Sequence, residues 1–300
     1  GRLEDILANP ASLKRLMVKE IEGDAKTFAD ARRTLIQAEK RAVAEIKVVD
    51  EPVTVVVSAK GWVRARTGHG HEAGSFAFKA GDGLYGTFEC RTVDTLITLG
   101  SNGRVYSVPV ASLPGARGDG QPITTLIDLE SGTQPLHYFA GPANAALLLA
   151  GSGGYGFLAT VENMVSRQRG GKAFLTLGEG ETPCAPSHAA FTSGGQPLVP
   201  ATHVCCASTG GRILTFEIGE LKLMEKGGRG LMLIDLEPKD TLAGAAAYTR
   251  SVKIEGIGRG GKEREETLEI RSLTNAEAGR GRKGKAADLG FKPGRVTRVE

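Results

Sequence analysis

The sequence predicts a mainly-β protein in which about five four-stranded blades stand around an axis, in a propeller-like ring preceded by a short α-helical stub. Two observations predict the ring. An apolar run, a tight turn ending in glycine and a second apolar run recur four times. The turn glycines are Gly61, Gly103, Gly154 and Gly211, and consecutive ones are 42, 51 and 57 residues apart. Hairpins repeated every 40–50 residues or so are typical of propeller blades. The stub follows from a third observation, a change of composition near residue 48.

Residues 1–45 show helical periodicity. Leu3, Ile6 and Leu7 recur at helical spacing, an interruption follows at 9–12, and Ser12 is predicted to cap a second helix. From Val48 onward the apolar runs become short and β-branched, and glycine marks their ends. We therefore predict a helical segment and linker over 1–48 and a β domain over 49–300.

The four repeated turns have compositions that favour tight hairpins. Glycine accepts a positive φ without a Cβ clash, so it suits the centre of a two-residue turn. A fifth candidate turn precedes the C-terminal region and follows the apolar residues Val252 and Ile254. The turn centres are Lys60-Gly61, Asn102-Gly103, Gly153-Gly154, Gly210-Gly211 and, in the fifth candidate, Gly260-Gly261.

A second landmark follows the hairpins, at about 15 residues beyond the glycine in the middle units. It is a loop that combines glycine with arginine or lysine, at 117–120, 169–172, 227–230 and, later in its unit, 280–285. The first unit has the loop 68–71 instead, which contains two histidines and no arginine. Glycine beside a cation puts backbone N–H groups and positive charge on one exposed spot, where phosphates bind without base readout. On one rim of a ring, such loops would form a positive track for a duplex.

The net charge permits this interpretation and does not prove it. Lys and Arg number 38 against 34 Asp and Glu, which gives +4, and residues 279–298 hold seven basic groups and one acid, Asp288. The four cysteines are too few for a disulfide scaffold and indicate a reducing compartment. No apolar run approaches the roughly 18 residues of a membrane span. The chain begins at Gly1, with no charged and apolar leader, and is expected to be a fragment.

Other site chemistries find little support in the sequence. His203, Cys205 and Cys206 lie close together, but no second ligand pair stands at zinc spacing. The glycines of 256–261 lack the βαβ context of a dinucleotide site. Ser208 lies in a hairpin without a partnered His or Asp, so no hydrolase nucleophile is predicted.

Several segments resemble one known family. Phe28–Thr34, which reads F-A-D-A-R-R-T, resembles a segment near the end of the breakage-reunion domain of bacterial type IIA topoisomerase A subunits. Residues 51–54, 58–64 and 79–82 resemble the first blade of the topoisomerase IV branch of that family. Residues 113–124 are similar to the family's L-P-S-A-R-G-x-G-E-P-L-T, and 154–157 and 170–173 continue the match. The resemblance covers nearly the whole chain and weakens beyond residue 240.

The resemblance implies a β-pinwheel, a propeller-like ring in which neighbouring blades exchange strands. It also implies the C-terminal DNA-binding and DNA-bending domain of a topoisomerase IV A subunit (ParC), which captures the transported duplex for ATP-dependent decatenation and supercoil relaxation in chromosome segregation. The enzyme of this family is an ATP-hydrolysing isomerase. Its catalytic tyrosine lies upstream of Gly1 and its ATP site lies in the other subunit, so no catalytic, cofactor or metal site is expected in this stretch.

The resemblance also implies partners and a location. They are double-stranded DNA and the topoisomerase IV B subunit in an A2B2 holoenzyme, which uses ATP and Mg²⁺ through other domains. The full-length protein is expected to dimerise, and a monomer is an open alternative for this stretch alone. The expected location is cytoplasmic and chromosome-associated, with a peripheral position at the inner membrane as an open alternative for the full family.

One departure separates this chain from the related gyrase A subunit. Gyrase has a Q-R-R-G-G-K/R-G box in its first blade, whereas the best match here is Arg167–Ala173 in the third unit, with Ala173 in place of the last glycine. That favours topoisomerase IV. A gyrase A wrapping domain and a propeller-like protein-interaction module remain the alternatives. A propeller hydrolase would need clustered carboxylates at the axis, and the repeats show none at matching positions.

The predicted DNA-binding residues are basic side chains in or beside the repeated turns. They are expected to capture and bend a duplex by contacting phosphates, so that geometry rather than base sequence decides what is bound. The set comprises Arg64, Arg66, Arg104, Arg117, Arg167, Arg169, Lys172, Arg212, Lys226 and Arg229, and, towards the C-terminal end, Arg280, Arg282, Lys283 and Lys285.

Overall fold

The computed structural model describes residues 2–29, 48–115, 118–190, 192–193, 196–197 and 200–299. They belong to two compact units, Gly1–Ile46 and Lys47–Glu300. The first unit contains helices α1 (Arg2–Ala8) and α2 (Pro10–Phe28). The rest of the predicted helical segment, 30–45, lies outside the described residues.

The cap of α2 differs from the sequence prediction. Asn9, not Ser12, is the N-cap, and its side chain accepts a hydrogen bond from the Ala11 N–H at 3.0 Å. Pro10 follows at the first helical position, where its fixed φ suits the helix and its missing N–H costs no hydrogen bond. Because these two residues already begin the helix, Ser12 lies inside it, and the prediction of a Ser12 cap is wrong.

The second unit is mainly β. Its strands in chain order are β1 Pro52–Ser58, β2 Trp62–Thr67, β3 Leu84–Arg91, β4 Thr95–Gly100, β5 Arg104–Pro109, β6 Gln121–Pro122, β7 Pro135–Gly141, β8 Ala146–Ala150, β9 Tyr155–Thr160, β10 Lys172–Ala173, β11 Ser187–Ala190, β12 Thr192–Ser193, β13 Gln196–Pro197, β14 His203–Ser208, β15 Arg212–Glu217, β16 Leu231–Met232, β17 Leu242–Tyr248, β18 Ser251–Gly258, β19 Glu263–Glu269, β20 Lys285–Ala286 and β21 Phe291–Val299. Two short α-helices, α3 Val161–Met164 and α4 Ile270–Thr274, and five 3-10 turns at 73–75, 110–112, 123–125, 218–220 and 259–261 complete it.

The strands form five blades, which confirms the predicted ring. Blade 1 has the order β3-β1-β2-β6, blade 2 β7-β4-β5-β10, blade 3 β11-β8-β9-β16 and blade 4 β17-β14-β15-β20. Blade 5 has three strands among the described residues, in the order β21-β18-β19, and β12 pairs with β13 in a separate hairpin. Each of the four repeated turns joins the two strands of one hairpin. Their glycines, Gly61, Gly103, Gly154 and Gly211, have φ values of 79°, 80°, 87° and 87°.

Each of the first four blades is completed by strand exchange. The fourth strand of a blade comes from the chain that follows the hairpin of the next blade, so that β6 follows β4 and β5 in sequence but pairs with β2. The strands β10, β16 and β20 pair in the same way with β5, β9 and β15, and all these pairs are antiparallel. The expected pinwheel is therefore present, with exchanged strands on the outer edges and β3, β7, β11, β17 and β21 on the inner edges.

The core consists of apolar layers between consecutive blades. One cluster joins blades 1 and 2, in which Val57 and Leu96 are fully buried, and the last joins blades 4 and 5 through Ile213 and Val252. Two further clusters join blades 2 and 3 and blades 3 and 4. Central strands such as β1 are buried along nearly their whole length, which explains their continuous apolar sequences. Among the described residues, no apolar cluster joins blade 5 to blade 1.

Candidate nucleic-acid interface

The basic loops occupy equivalent positions in blades 1 to 4. Each of these exchange loops (residues 118–120, 168–171, 227–230 and 281–284) ends in a glycine immediately before the exchanged strand. These glycines, Gly120, Gly171, Gly230 and Gly284, have φ values of 82°, 61°, 84° and 70°.

The same close approach recurs at all four glycines. A Cβ at these positions would lie 2.3, 2.3, 2.2 and 2.6 Å from a carbonyl oxygen of the hairpin. In every blade that oxygen belongs to the second residue of the second hairpin strand, namely Val63, Val105, Gly156 and Ile213. The repeated sequence landmark is therefore one repeated structural position, on the outer edge of each blade.

Two arginines hold exchange loops in blades 2 and 4. Each is the residue that follows the hairpin glycine. Arg104 Nη2 donates to the carbonyl oxygen of Gly170 at 2.9 Å, and Arg212 Nη1 donates to that of Gly284 at 3.1 Å. Both guanidinium groups also pair with a carboxylate, at 3.2 and 3.5 Å. These two predicted DNA-binding residues thus fix loop backbones and are only partly exposed.

Blades 1 and 3 have an aromatic residue at the same position, with a cation over its ring. Lys79 Nζ lies 3.4 Å from the ring centroid of Trp62, and the Arg229 guanidinium lies 4.4 Å from that of Tyr155. Arg229 also donates to both carboxylate oxygens of Glu181, at 2.8 and 3.0 Å, and these hydrogen bonds lower the pKa of Glu181. Sequence reasoning missed Lys79, although an aromatic residue where two other blades have arginine was the available signal.

Two arginines of β2 have different environments. Arg64 is only 6% exposed; its Nη2 donates to the Ala77 carbonyl at 2.6 Å, and its Nη1 donates to the carbonyl of Gly118 in the exchange loop. Arg66 is exposed, with its guanidinium 5.6 Å from the Phe76 ring centroid. Arg64 therefore stabilises the loop from inside blade 1, and Arg66 is accessible to a ligand.

Most of the remaining predicted cations lie on the exposed surface at or near the exchange loops. Arg169 pairs with Asp128 at 3.4 Å, and Lys283 pairs with Glu237 at 3.3 Å. Lys172 lies 5.6 Å from a neighbouring phenyl ring and is half-buried, which lowers its pKa. Four further cations are exposed and have no ion pair with another described residue: Arg167, Lys226, Arg282 and Lys285.

Two predicted residues differ from these. Arg280 donates from Nη1 to the Met232 carbonyl at 2.6 Å, and its backbone N–H donates to Glu220, so it ties neighbouring blades together. Arg117 lies outside the described residues, as do residues 30–34 of the segment that resembles the breakage-reunion domain. The Arg167–Ala173 box spans the exchange loop that completes blade 2, although it follows the hairpin of blade 3 in sequence.

The structure also tests the metal-site and nucleophile candidates considered in the sequence. Among the described residues, no group of three or more His, Cys, Asp or Glu side chains is placed to hold a metal ion. Cys205 and Cys206 are fully buried, and burial raises the pKa of Cys205 to about 12. Ser208 is fully buried as well. None of the described helices combines the length and apolar character needed to cross a bilayer.

Comparisons with known proteins agree with the geometry. A family described as "DNA gyrase C-terminal domain, beta-propeller" matches residues 94–130 and 202–248. The A subunit of DNA topoisomerase 4 from Neisseria gonorrhoeae is 38% identical over 95% of this chain and 36% of that protein. The Pseudomonas aeruginosa protein of the same name is 33% identical over 97% of this chain and 38% of its own length. The chain thus spans just over a third of these relatives.

Two solved structures share the fold. The E. coli ParC C-terminal domain has a TM-score of 0.68 and 29% identity, over 82% of this chain and 98% of its own. A DNA gyrase A C-terminal domain has a TM-score of 0.58 at 17% identity, over 83% of each chain, and shows the fold alone. The exchanged strands, the repeated loops and these likenesses agree: the chain belongs to the family of C-terminal β-propeller domains of type IIA topoisomerase A subunits, in its topoisomerase IV branch.

Proposed function

We propose that residues 49–300 form the DNA-binding and DNA-bending domain of a topoisomerase IV A subunit, and that residues 1–48 are the helical end of its breakage-reunion core and the linker. The observation that carries this proposal is the recurrence of one glycine corner on the outer edges of four blades, with exposed cations beside the corners of blades 2, 3 and 4. Exposed cations repeated beside these corners suit the regularly spaced phosphates of a duplex.

Capture and bending follow from charge and geometry. Each phosphate neutralised releases counterions and steepens the salt dependence of binding by about 0.9 log units. Bending 20–30 base pairs smoothly by 40–90° costs on the order of 1–6 kcal/mol, so several contacts must act together to hold a bent duplex. The proposed contacts are the exposed cations. Arg64, Arg104, Arg212 and Arg280 act mainly by holding backbone carbonyls, and Arg104 and Arg212 present the remainder of their charge to the duplex.

The proposal places this domain in a larger enzyme. Two A subunits and two topoisomerase IV B subunits form an A2B2 assembly, and ATP and Mg²⁺ act in other domains. The domain presents the transported duplex for decatenation and supercoil relaxation during chromosome segregation. Its proposed location is the cytoplasm, at the chromosome.

The test is a salt titration of duplex binding by this chain. A labelled duplex of 30 base pairs or so is titrated, by fluorescence anisotropy at several salt concentrations, with the native chain and with the variant Arg167→Glu, Lys226→Glu, Arg282→Glu and Lys285→Glu. If all four residues contact phosphates, the slope of log K against log salt falls by about 3 to 4 units, 0.9 for each contact.

The control variant reverses four exposed cations of α2, Lys14, Arg15, Lys19 and Lys26, and thus makes the same change in net charge. It is expected to keep most of the native slope. A rim variant that binds as the native chain does, with the same slope, would contradict the proposal and favour a protein-interaction module.

A further inference from the structure

The inner strands of all five blades surround a pair of adjoining cavities at the propeller axis. The cavities have volumes of about 330 and 440 Å³, within the range of small-molecule sites. Their walls include residues of β3, β7, β11, β17 and β21 and of the segment leading into β11. Tyr85, Ala185, Arg295 and Val296 line both, so Arg295 lies where the two cavities meet.

The lining of these axial cavities is positively charged. Arg295 lines both cavities and Arg298 lines the larger one, together with His137, His188 and several hydroxyl groups. Neither lining contains an aspartate or a glutamate among the described residues. Buried charges in proteins are normally paired, so two cavities that share Arg295 and have no carboxylate among the described residues of their walls are suited to a negatively charged guest.

Arg295 has unused hydrogen-bonding capacity. Its Nε is buried and has no hydrogen-bond partner among the described residues, and its guanidinium lies 5.7 Å from the ring centroid of Tyr85. A guanidinium has five N–H donors, and a buried donor without an acceptor costs free energy. A tetrahedral oxyanion presents several acceptor oxygens and matches the fork of donors.

The two histidines in the walls of the axial cavities are uncharged, so the positive charge there comes from the arginines. His137 Nε2 lies 3.1 Å from the Pro183 carbonyl and must donate to it, so in the neutral ring Nδ1 accepts from the Tyr85 hydroxyl at 3.2 Å. Burial lowers the pKa of His137 and lowers that of His188 to about 3, with a smaller contribution in each case from the nearby arginine. Both rings are therefore neutral at pH 7.

We propose that the axial cavities bind a small free oxyanion of the phosphate class, such as inorganic phosphate or pyrophosphate, with Arg295 as its principal donor. The site is separate from the outer rim, because it is formed by inner strands and is too small to admit a duplex. It goes beyond the proposed function and does not depend on it. Oxyanion binding at the axis would tie β21 of the last blade to β3 of the first.

Pyrophosphate is the probe for this site. Binding to this chain is measured by isothermal titration calorimetry, at an ionic strength high enough to screen the exposed rim cations. Arg295→Gln is expected to weaken pyrophosphate binding about tenfold or more, because one hydrogen-bonded charge contributes roughly 1.5 kcal/mol or more. The matched control is Arg15→Gln, an exposed arginine of α2 that lines neither cavity, and this variant is expected to bind pyrophosphate as the native chain does. An ADP titration separates free from nucleotide-borne phosphate, since ADP is expected to bind more weakly.

Two results would overturn the proposal: a native chain that does not bind pyrophosphate, or an equal loss in the two variants. A tighter complex with ADP would overturn its assignment to a free oxyanion. If Arg295→Gln does not fold, the native chain still decides, through histidine-ring NMR signals. The signals of His137 and His188 are expected to shift on addition of pyrophosphate and not on addition of chloride at equal ionic strength. Unchanged signals would count against the site.

Discussion

Arg64 and Arg66 lie on the same side of β2, since side chains two residues apart in a strand share a face. Arg64 nevertheless reaches inward to two backbone carbonyls and is 6% exposed, whereas Arg66 lies in solvent. The loop 73–79 makes the difference, because it covers Arg64 with Ala77 and the rings of Phe76 and Phe78. The role of a cation in this ring thus depends on whether a loop covers it.

Replacing each of these arginines by methionine separates the two roles. Arg64→Met is expected to lower the free energy of unfolding by about 2 kcal/mol or more, since it leaves two carbonyl oxygens without their donor. Arg66→Met is expected to change it by less than about 0.5 kcal/mol and to reduce the salt slope of DNA binding by about 0.9. Urea denaturation and the salt titration measure these effects. Equal stabilities of the two variants would show that Arg64 holds nothing in place.

His188 predicts a pH dependence of stability. Its pKa is about 3 in the folded chain because burial disfavours the charged ring, against about 6.5 when unfolded. Between these values the unfolded chain binds a proton that the folded chain does not, so stability falls as the pH drops from 6.5 towards 3. The slope from this one group approaches 1.4 kcal/mol per pH unit. His188→Asn is expected to flatten the curve by that amount in denaturation at pH 4 to 7, and parallel curves would refute the assignment.

The exchanged strand depends on a single glycine in each of blades 1 to 4. At Gly171 the φ is 61° and a Cβ would lie 2.3 Å from the Val105 oxygen, so both conformation and space require glycine. At the preceding Gly170, a Cβ would meet nothing within 4 Å. Two adjacent glycines in one loop therefore have different structural importance.

Alanine substitution tests this difference within one loop. Gly171→Ala is expected to destabilise the chain by about 2 kcal/mol or more, through left-handed strain and the displacement of β10 from β5. Gly170→Ala is expected to cost less than about 1 kcal/mol, and thermal unfolding of both variants makes the comparison. Similar melting temperatures of the two variants would indicate that the loop accommodates the Cβ of Ala at position 171 at little cost in free energy.

The elements differ in how far the sequence predicted them. The four hairpins were predictable because their turns need glycine at positive φ, and the basic loops because they repeat near glycine. The exchanged strands are only two residues long, too short to show a period, so their pairing came from the family resemblance alone. The partners of Arg64 and of Lys79 are distant in sequence or depend on loop conformation, which no local pattern records. Ser12 was mistaken for a cap because Asn9, three residues earlier, competes for the same role.

Two features hold the blades together: the apolar layers between successive blades, and the exchanged strands that the chain contributes to blades 1 to 4. Blade 5 has no exchanged strand among the described residues, and β19 is exposed along most of its length. Its exposed edge carries charged side chains, a device that discourages pairing with another strand. The last blade thus differs from the others at its outer edge.

Truncation tests the coupling between blades. Ending the chain at Arg250 removes blade 5 and also β20, the exchanged strand of blade 4. Amides of β15 are then expected to lose hydrogen-exchange protection, since their neighbour is gone, while those of β5 keep theirs because β10 remains. Hydrogen exchange followed by mass spectrometry gives both readouts in one sample. Unchanged protection in β15 would mean that the exchanged strand contributes little.

Strand exchange also sets an order of events during translation. A ribosome finishes β2 at residue 67 but reaches β6 only at residue 121, after the whole of the β4–β5 hairpin has been made. Until β6 has been synthesised, the outer edge of the first blade has no partner strand. The same interval separates the hairpin of each later exchanged blade from its own exchanged strand. During translation the blades are therefore completed in order from the N-terminus. The chain that follows each new hairpin supplies the strand that completes the preceding blade.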